Sequence, residues 1–95
     1  MQEFHFLKQR ALALWKQGEH YHMENQLERA VALYNQSIEV YPTAEAYTFR
    51  GWAHFHQDRV LEAIADCKAA IMVDPTLGNP YNDIGSYLVS QGDDA

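Results

Sequence analysis

Apolar residues recur every three or four positions along most of the chain. Between residues 27 and 42 they form one helical face made of Leu27, Ala30, Val31, Tyr34 and Ile38. Between residues 60 and 75 an equivalent face is made of Val60, Ala63, Ile64, Cys67 and Ile71. This spacing is typical of amphipathic helices that bury one side. No segment shows the sustained alternation of a half-buried strand, so the pattern predicts an all-α fold.

Prolines mark where these two helices stop. Pro42 and Pro75 follow the apolar faces directly, and a proline ends a helix because it lacks the N–H group and clashes with the preceding turn. Three further helices are predicted. One ends near Met23, one covers about 44–57, and one opens with the segment NPYNDIG, where Asn79 is a candidate N-cap. The expectation is about five helices.

The helices repeat along the chain. Ala30 and Ala63 lie 33 positions apart, as do Gly18 and Gly51, and Gly85 follows Gly51 by 34. A glycine inside a helix costs about 1 kcal/mol relative to alanine, so its recurrence needs a compensating reason. Close contact of Gly18 with Ala30, and of Gly51 with Ala63, would supply that reason. Self-similarity at this period predicts stacked repeats.

The repeat resembles the tetratricopeptide repeat. The pattern of that repeat has, in order, a large residue, an apolar residue, a glycine, an aromatic residue, an alanine, a second aromatic residue and a closing proline. The first copy reads Leu14, Gln17, Gly18, Tyr21, Ala30, Tyr34 and Pro42. The second reads Tyr47, Arg50, Gly51, His54, Ala63, Cys67 and Pro75. A third begins with Tyr81, Ile84, Gly85 and Leu88. Gln17, Arg50 and His54 depart from the usual residue types.

The resemblance implies a right-handed α-solenoid of antiparallel helical hairpins in a single domain, residues 1–95. Its first repeat covers about 11–43 and its second about 44–77. A partial repeat or capping helix covers about 78–95. Because that last unit ends before a second helix, the chain is interpreted either as a fragment of a longer array or as a repeat segment that self-associates through its open end.

Composition and charge narrow the function classes. The 95 residues are 47% apolar, with a formal net charge of −6. That charge argues against nucleic-acid binding, which needs clustered lysine and arginine. No apolar run reaches the roughly 18 residues that a membrane span requires. Without a visible secretory signal, and with Cys67 as its single cysteine, the chain is expected to be cytoplasmic.

Two histidine triplets, HYHM at 20–23 and HFHQ at 54–57, raise the question of a metal site. Residues i and i+2 of a helix point in nearly opposite directions, so neither triplet can chelate a metal alone. His22 and His56 can approach each other across neighbouring helices. Two ligands without a matched cysteine, histidine or carboxylate set fall short of a zinc site. We therefore expect no metal and no cofactor.

No catalytic constellation is present in the sequence either. There is no glycine-rich phosphate loop and no nucleophile elbow. Cys67 is a conceivable nucleophile with His54 or His56 as its base, but it occupies a position predicted to be buried. The sequence therefore predicts a protein that is not an enzyme.

The first helix of each repeat carries a second stripe of residues, which its own hairpin partner does not cover. In the second repeat this stripe holds three aromatic residues, Phe49, Trp52 and Phe55. The resemblance implies that such stripes line a concave groove that binds a peptide or helix of another protein. Aromatic residues dominate the binding energy of such surfaces. The candidate groove residues are Trp15, Glu19, His22, Met23, Phe49, Trp52, Phe55, His56, Asn82 and Ser86. Alternatively, Phe49 and Phe55 pack between neighbouring first helices.

One branch of the family grips the C-terminal carboxylate of chaperones with lysine, asparagine and arginine side chains. The matching positions here are Trp15, Glu19, Phe49, Asn79 and Asp83. Carboxylate capture needs charge-assisted donors, and the two acidic side chains would repel the ligand. The expected partner is therefore a protein segment other than an acidic chaperone tail.

Overall fold

The computed structural model describes residues 2–92, and within this range the chain is helical, with no strand. The five helices are α1 (Gln2–Met23), α2 (Leu27–Val40), α3 (Ala44–His56), α4 (Val60–Val73) and α5 (Asn79–Gly92). The predicted all-α class is confirmed. The last predicted residues, 93–95, lie outside the described part of the chain.

The helices pack as consecutive hairpins. α1 packs on α2, and α3 packs on α4, while α5 packs on α4. The first helices also meet in a row, because α3 contacts α1 on one side and α5 on the other. This row of α1, α3 and α5 forms one face of the molecule, and the candidate site lies on it.

The turns inside the two hairpins use the same backbone device. Asn25 and Asp58 both have positive φ angles, 61° and 65°, a conformation that asparagine and aspartate tolerate better than most residues. They lie 33 positions apart. At the other connection Thr43 caps α3, because its hydroxyl accepts a hydrogen bond of 3.2 Å from the Ala46 N–H. Repeat geometry is thus set locally as well as by packing.

The glycine contacts predicted from the repeat are present. A Cβ added at Gly18 would lie 2.6 Å from the Tyr34 ring and 3.2 Å from the carbonyl oxygen of Ala30. At Gly51 it would lie 3.0 Å from the carbonyl oxygen of Ala63. Each hairpin therefore closes at a point where a side chain would not fit, which is the reason for a glycine inside a helix.

The core of the described residues consists of two clusters, and each joins a hairpin to the first helix that follows it. The first is built on Ala30, Tyr34 and Ala53, and the second on Ala63, Cys67 and Tyr87. The predicted apolar faces of α2 and α4 supply the central residues of both clusters, because their i, i+3, i+4 spacing points these side chains at the neighbouring helix.

Arg50 and His54 depart from the repeat pattern for a structural reason. Arg50 binds the carboxylate of Asp66 with two hydrogen bonds, Nε to Oδ2 at 3.0 Å and Nη2 to Oδ1 at 2.6 Å. His54 Nε2 lies 3.7 Å from the same carboxylate. The Asp66 side chain is only 7% exposed. The second hairpin therefore has an ion pair where the repeat usually has an apolar contact. Arg50 Nη1 also donates a hydrogen bond to Asn35 on α2.

No helix among the described residues combines the length and apolar character needed to cross a membrane.

Candidate functional site

A cavity of about 420 Å³ opens between the first helices. It receives side chains from α1, α3 and α5 and from the loop between α4 and α5. Its lining residues are Trp15, Glu45, Thr48, Phe49, Trp52, Leu77, Asn79 and Asp83. Three of the predicted groove residues, Trp15, Phe49 and Trp52, thus meet around one space. Both tryptophans of the protein belong to it.

The aromatic wall of the cavity is held in place by stacking. The rings of Trp15 and Phe49 lie 5.1 Å apart and nearly parallel, at 22°. Phe49 also stacks on the buried Tyr34 ring at 6.2 Å, and Trp52 lies 6.5 Å from Phe49. Such pairs stabilise beyond the area that they bury. Trp52 nevertheless remains 42% exposed, so the wall is anchored to the core while one indole stays open to a ligand.

Two acidic residues also line the cavity. Glu45 stands in the first turn of α3, and Asp83 projects from α5. Burial raises the pKa of Asp83, because its charged form loses hydration there. Among the described residues that line the cavity none is lysine or arginine. The cavity therefore combines aromatic faces with negative charge.

The two histidines that the sequence placed within reach of each other do meet. His22 Nε2 lies 3.0 Å from His56 Nδ1, and His22 Nδ1 lies 3.2 Å from the hydroxyl of Tyr34. The His22 ring also lies 5.0 Å from that of Trp52. Burial, with a smaller contribution from His56, lowers the pKa of His22. The pair connects α1 with α3 beside the aromatic wall.

These histidines do not form part of a larger ligand set. No group of three or more histidine, cysteine, aspartate or glutamate residues able to hold a metal occurs within residues 2–92. The other members of the triplets point elsewhere: His20 lies 3.6 Å from Glu24, and His54 lies beside Asp66. The contacts of His22 and His56 are those of a hydrogen-bonded pair.

Several predicted groove residues lie away from the cavity. Phe55 stacks on Tyr87 at 4.5 Å and packs against the second core cluster, so it has the packing role that was the alternative for it. Met23 ends α1 and is 75% exposed. Asn82 and Ser86 line a separate shallow depression on α5. Glu19 is half-buried on α1 and is not among the cavity residues.

The prediction also missed part of the lining. Glu45, Thr48, Asn79 and Asp83 stand on the same stripes of the first helices as the chosen residues, so their repeat positions were the available signal. Leu77 belongs to a loop, and no helical periodicity could have placed it in the cavity.

Cys67 lies in the core, fully buried. Burial raises its pKa to about 12, with the charges of Asp83 and Asp66 adding to the effect. Since the thiolate is the nucleophilic form of cysteine, a raised pKa disfavours nucleophilic reactivity of Cys67 at neutral pH.

Comparison with known proteins places this geometry in context. Residues 44–77 match the family model described as Tetratricopeptide repeat. Protein SGT1 homolog from Oryza sativa subsp. japonica is 40% identical over 68 residues. DnaJ homolog subfamily C member 7 homolog from Dictyostelium discoideum is 30% identical over 71 residues. Each match covers 70% of this chain but only 18% and 13% of the respective relative.

Solved structures agree over more of the chain. The second TPR of Spaghetti (RPAP3) bound to HSP90 peptide SRMEEVD superposes with a TM-score of 0.84 and 25% identity, covering 90% of this chain and 81% of that structure. The first TPR of the same protein, bound to the same peptide, gives a TM-score of 0.81 at 23% identity, with 84% and 64% covered. The chain therefore contains a tetratricopeptide repeat and folds as a right-handed tetratricopeptide-repeat solenoid.

Proposed function

We propose that this chain is a non-catalytic interaction module that binds a peptide or helical segment of another protein in the groove formed by α1, α3 and α5. The observation that carries the proposal is the aromatic cavity. Trp15, Phe49 and Trp52 line an open space of about 420 Å³. An indole as exposed as that of Trp52 adds nothing to the stability of the fold by facing water. Tryptophan is a preferred anchor of protein interfaces.

The solved structures support a peptide-binding role, since both RPAP3 domains were determined with a bound HSP90 peptide. They do not identify the ligand of this chain. The five positions that the carboxylate-binding branch uses hold Trp15, Glu19, Phe49, Asn79 and Asp83 in this chain, and Asp83 is among the residues that line the cavity. We therefore propose a partner other than an acidic chaperone tail.

The groove is tested by affinity capture from a cell lysate with the wild-type chain, Trp52→Ala and the control Leu61→Ala. Leu61 is 70% exposed on α4, so its truncation removes a similar apolar surface far from the cavity. The proposal expects a protein that wild type and the control retain and that Trp52→Ala loses. Equal capture by all three chains would move the interaction away from the groove.

The carboxylate-tail question has its own measurement. Calorimetric titration of the wild-type chain with the peptide SRMEEVD is expected to show no saturable heat at neutral pH, because no cationic side chain lines the cavity among the described residues. Saturable binding that Trp52→Ala abolishes would refute this exclusion while keeping the groove.

A specific observation also favours a second candidate, self-association through α5. Tyr81 and Leu88 are 49% and 53% exposed, and a Cβ added at Gly85 would meet no atom of residues 2–92 within 4 Å. At the equivalent glycines of α1 and α3 a second helix lies in contact. This apolar face is open to another copy of the chain.

Self-association is tested by measuring mass in solution at several protein concentrations, with Leu88→Glu as the disrupting variant. A mass that rises with concentration in wild type and not in the variant supports it. A constant monomer mass for both chains would contradict it.

A further inference from the structure

We infer that the cavity takes a positively charged side chain, arginine or lysine, from a basic segment of the partner protein. This inference rests on the proposed groove function and adds the chemistry of the ligand to it. The juxtaposition that carries it is that the aromatic wall of Trp15, Phe49 and Trp52 and the acidic residues Glu45 and Asp83 line one space of about 420 Å³.

The aromatic wall favours a cation over a neutral polar group. The face of an indole or phenyl ring carries negative electrostatic potential, and a cation within about 6 Å of its centre is attracted to it, most strongly by tryptophan. Phe49 stacks on both Trp15 and Tyr34, so its two faces are occupied, and Trp15 keeps one face for a ligand. Trp52 is 42% exposed and only tilted relative to Phe49, and it offers the most accessible face.

The carboxylates define the charge of the ligand. Glu45 and Asp83 come from different helices, α3 and α5, and reach the same cavity. Asp83 is half-buried, and burial raises the pKa of its carboxyl because the charged form loses hydration. Within residues 2–92, no lysine or arginine lines the cavity beside it. A bound ammonium or guanidinium group would supply the missing charge partner and add charge-assisted hydrogen bonds.

The rest of the chain is consistent with a basic ligand. The formal net charge is −6, which attracts a basic segment from a distance and speeds encounter at low salt. An acidic segment would be repelled by the two carboxylates at the cavity and, outside it, by the negative net charge of the chain. A purely aliphatic segment would fill the cavity while leaving the Asp83 carboxylate desolvated and unpaired, which costs binding energy.

The test begins with a phage library of random linear peptides selected on the wild-type chain. A capped synthetic copy of the most enriched peptide is then titrated while the two indole N–H signals are followed by NMR. Both tryptophans line the cavity, so these signals report binding there without any mutation. The inference expects enriched peptides that share an arginine or lysine, shifts of both indole signals, and an affinity that falls as salt is raised.

Charge-removing variants then identify the contact. The double variant Glu45→Gln, Asp83→Asn keeps the shape of both side chains and is expected to lower the affinity for the peptide at least about tenfold. Replacing the shared basic residue of the peptide by leucine should lower the affinity by a similar factor. The matched control is Glu39→Gln with Glu62→Gln. This control removes the same charge from exposed positions on α2 and α4. Glu62 stands in the first turn of α4, as Glu45 does in α3, and the control should change the affinity less than about twofold.

The outcomes separate the two levels of the argument. Enriched peptides without a basic residue that still shift both indole signals would overturn the cation and keep the groove. Equal weakening by the cavity variant and the control would also overturn it, since long-range charge alone would then explain the preference. Peptides that leave both indole signals unchanged would overturn the groove function together with this inference.

Discussion

Arg50 on α3 donates two hydrogen bonds, of 3.0 and 2.6 Å, to the carboxylate of Asp66 on α4 across the interface of the second hairpin. The Asp66 side chain is 7% exposed and that of Arg50 is 23% exposed. A charge as buried as this requires a partner, because removing one member of a buried pair leaves the other desolvated and uncompensated.

The pair makes a clear prediction for Arg50→Leu, which restores the apolar residue usual at that repeat position. The variant is expected to lose about 3 kcal/mol in its free energy of unfolding, measured by urea denaturation, because Asp66 stays buried without its main partner. Replacing both residues by leucine should cost less than the single change. If Arg50→Leu were as stable as wild type, the pair would have no role in holding the hairpin.

The repeat glycines differ in what surrounds them, and their alanine variants should therefore differ in sign. Gly51→Ala is expected to lower the melting temperature, since its Cβ would lie 3.0 Å from the backbone carbonyl of Ala63. Gly85→Ala should raise the stability by about 1 kcal/mol, because no atom of the described part of the chain lies within 4 Å of the new methyl group and alanine favours a helix. Similar shifts for the two variants would contradict the close approach at Gly51.

Two buried tyrosines provide a matched comparison of hydroxyl groups. The Tyr34 hydroxyl bonds His22 at 3.2 Å, whereas the Tyr87 hydroxyl is buried with no hydrogen-bond partner among the described residues. Tyr34→Phe is expected to cost about 1 kcal/mol, and Tyr87→Phe to be neutral or stabilising, because it removes a desolvated polar group. Urea denaturation of both variants checks the order, and a larger loss for Tyr87→Phe would reverse it.

Stability should fall in mildly acidic solution because of His22. Its pKa in the folded chain is lowered below 6.5, mainly by burial, so the unfolded chain takes up the proton at higher pH than the folded chain does. The stabilisation is complete above about pH 6.5 and is lost as the pH falls below that value.

The contribution of His22 is isolated by comparing urea midpoints at neutral and mildly acidic pH for wild type, His22→Gln and His20→Gln. The pH-dependent loss should shrink in His22→Gln only, since the His20 side chain is 69% exposed. An unchanged loss in His22→Gln would assign the pH dependence to other groups.

Cys67 should resist thiol reagents in the folded protein. With a pKa of about 12 and full burial, it is expected to react more than about a hundredfold more slowly in buffer than in urea. An added cysteine in Ala65→Cys, at an exposed position of α4, should react rapidly in the same assay. Rapid reaction of Cys67 in the native wild-type chain would reopen the possibility of a nucleophilic role.

Much of the fold could be predicted from the sequence because it depends on short-range pattern. The 33-residue spacing of Gly18 with Gly51 and of Ala30 with Ala63 predicted the hairpins and their closest contacts, since a repeated interface requires repeated small residues. The meeting of His22 with His56 was expected from the short distance between packed neighbouring helices. The Arg50–Asp66 pair was missed, because a periodicity of apolar positions contains no information about which polar residue is buried with a partner.

The sequence by itself determined the five helices, their repeat and the face of each helix that packs, because these follow from local propensity and the spacing of apolar residues. Only the tertiary structure decided which stripe residues share a space. Phe49 and Phe55 occupy similar stripe positions, yet Phe49 lines the cavity and Phe55 packs on Tyr87. The difference arises from the neighbour that each ring meets, Trp15 of α1 beside Phe49 and Tyr87 of α5 beside Phe55, and these neighbours depend on how the helices pack against one another.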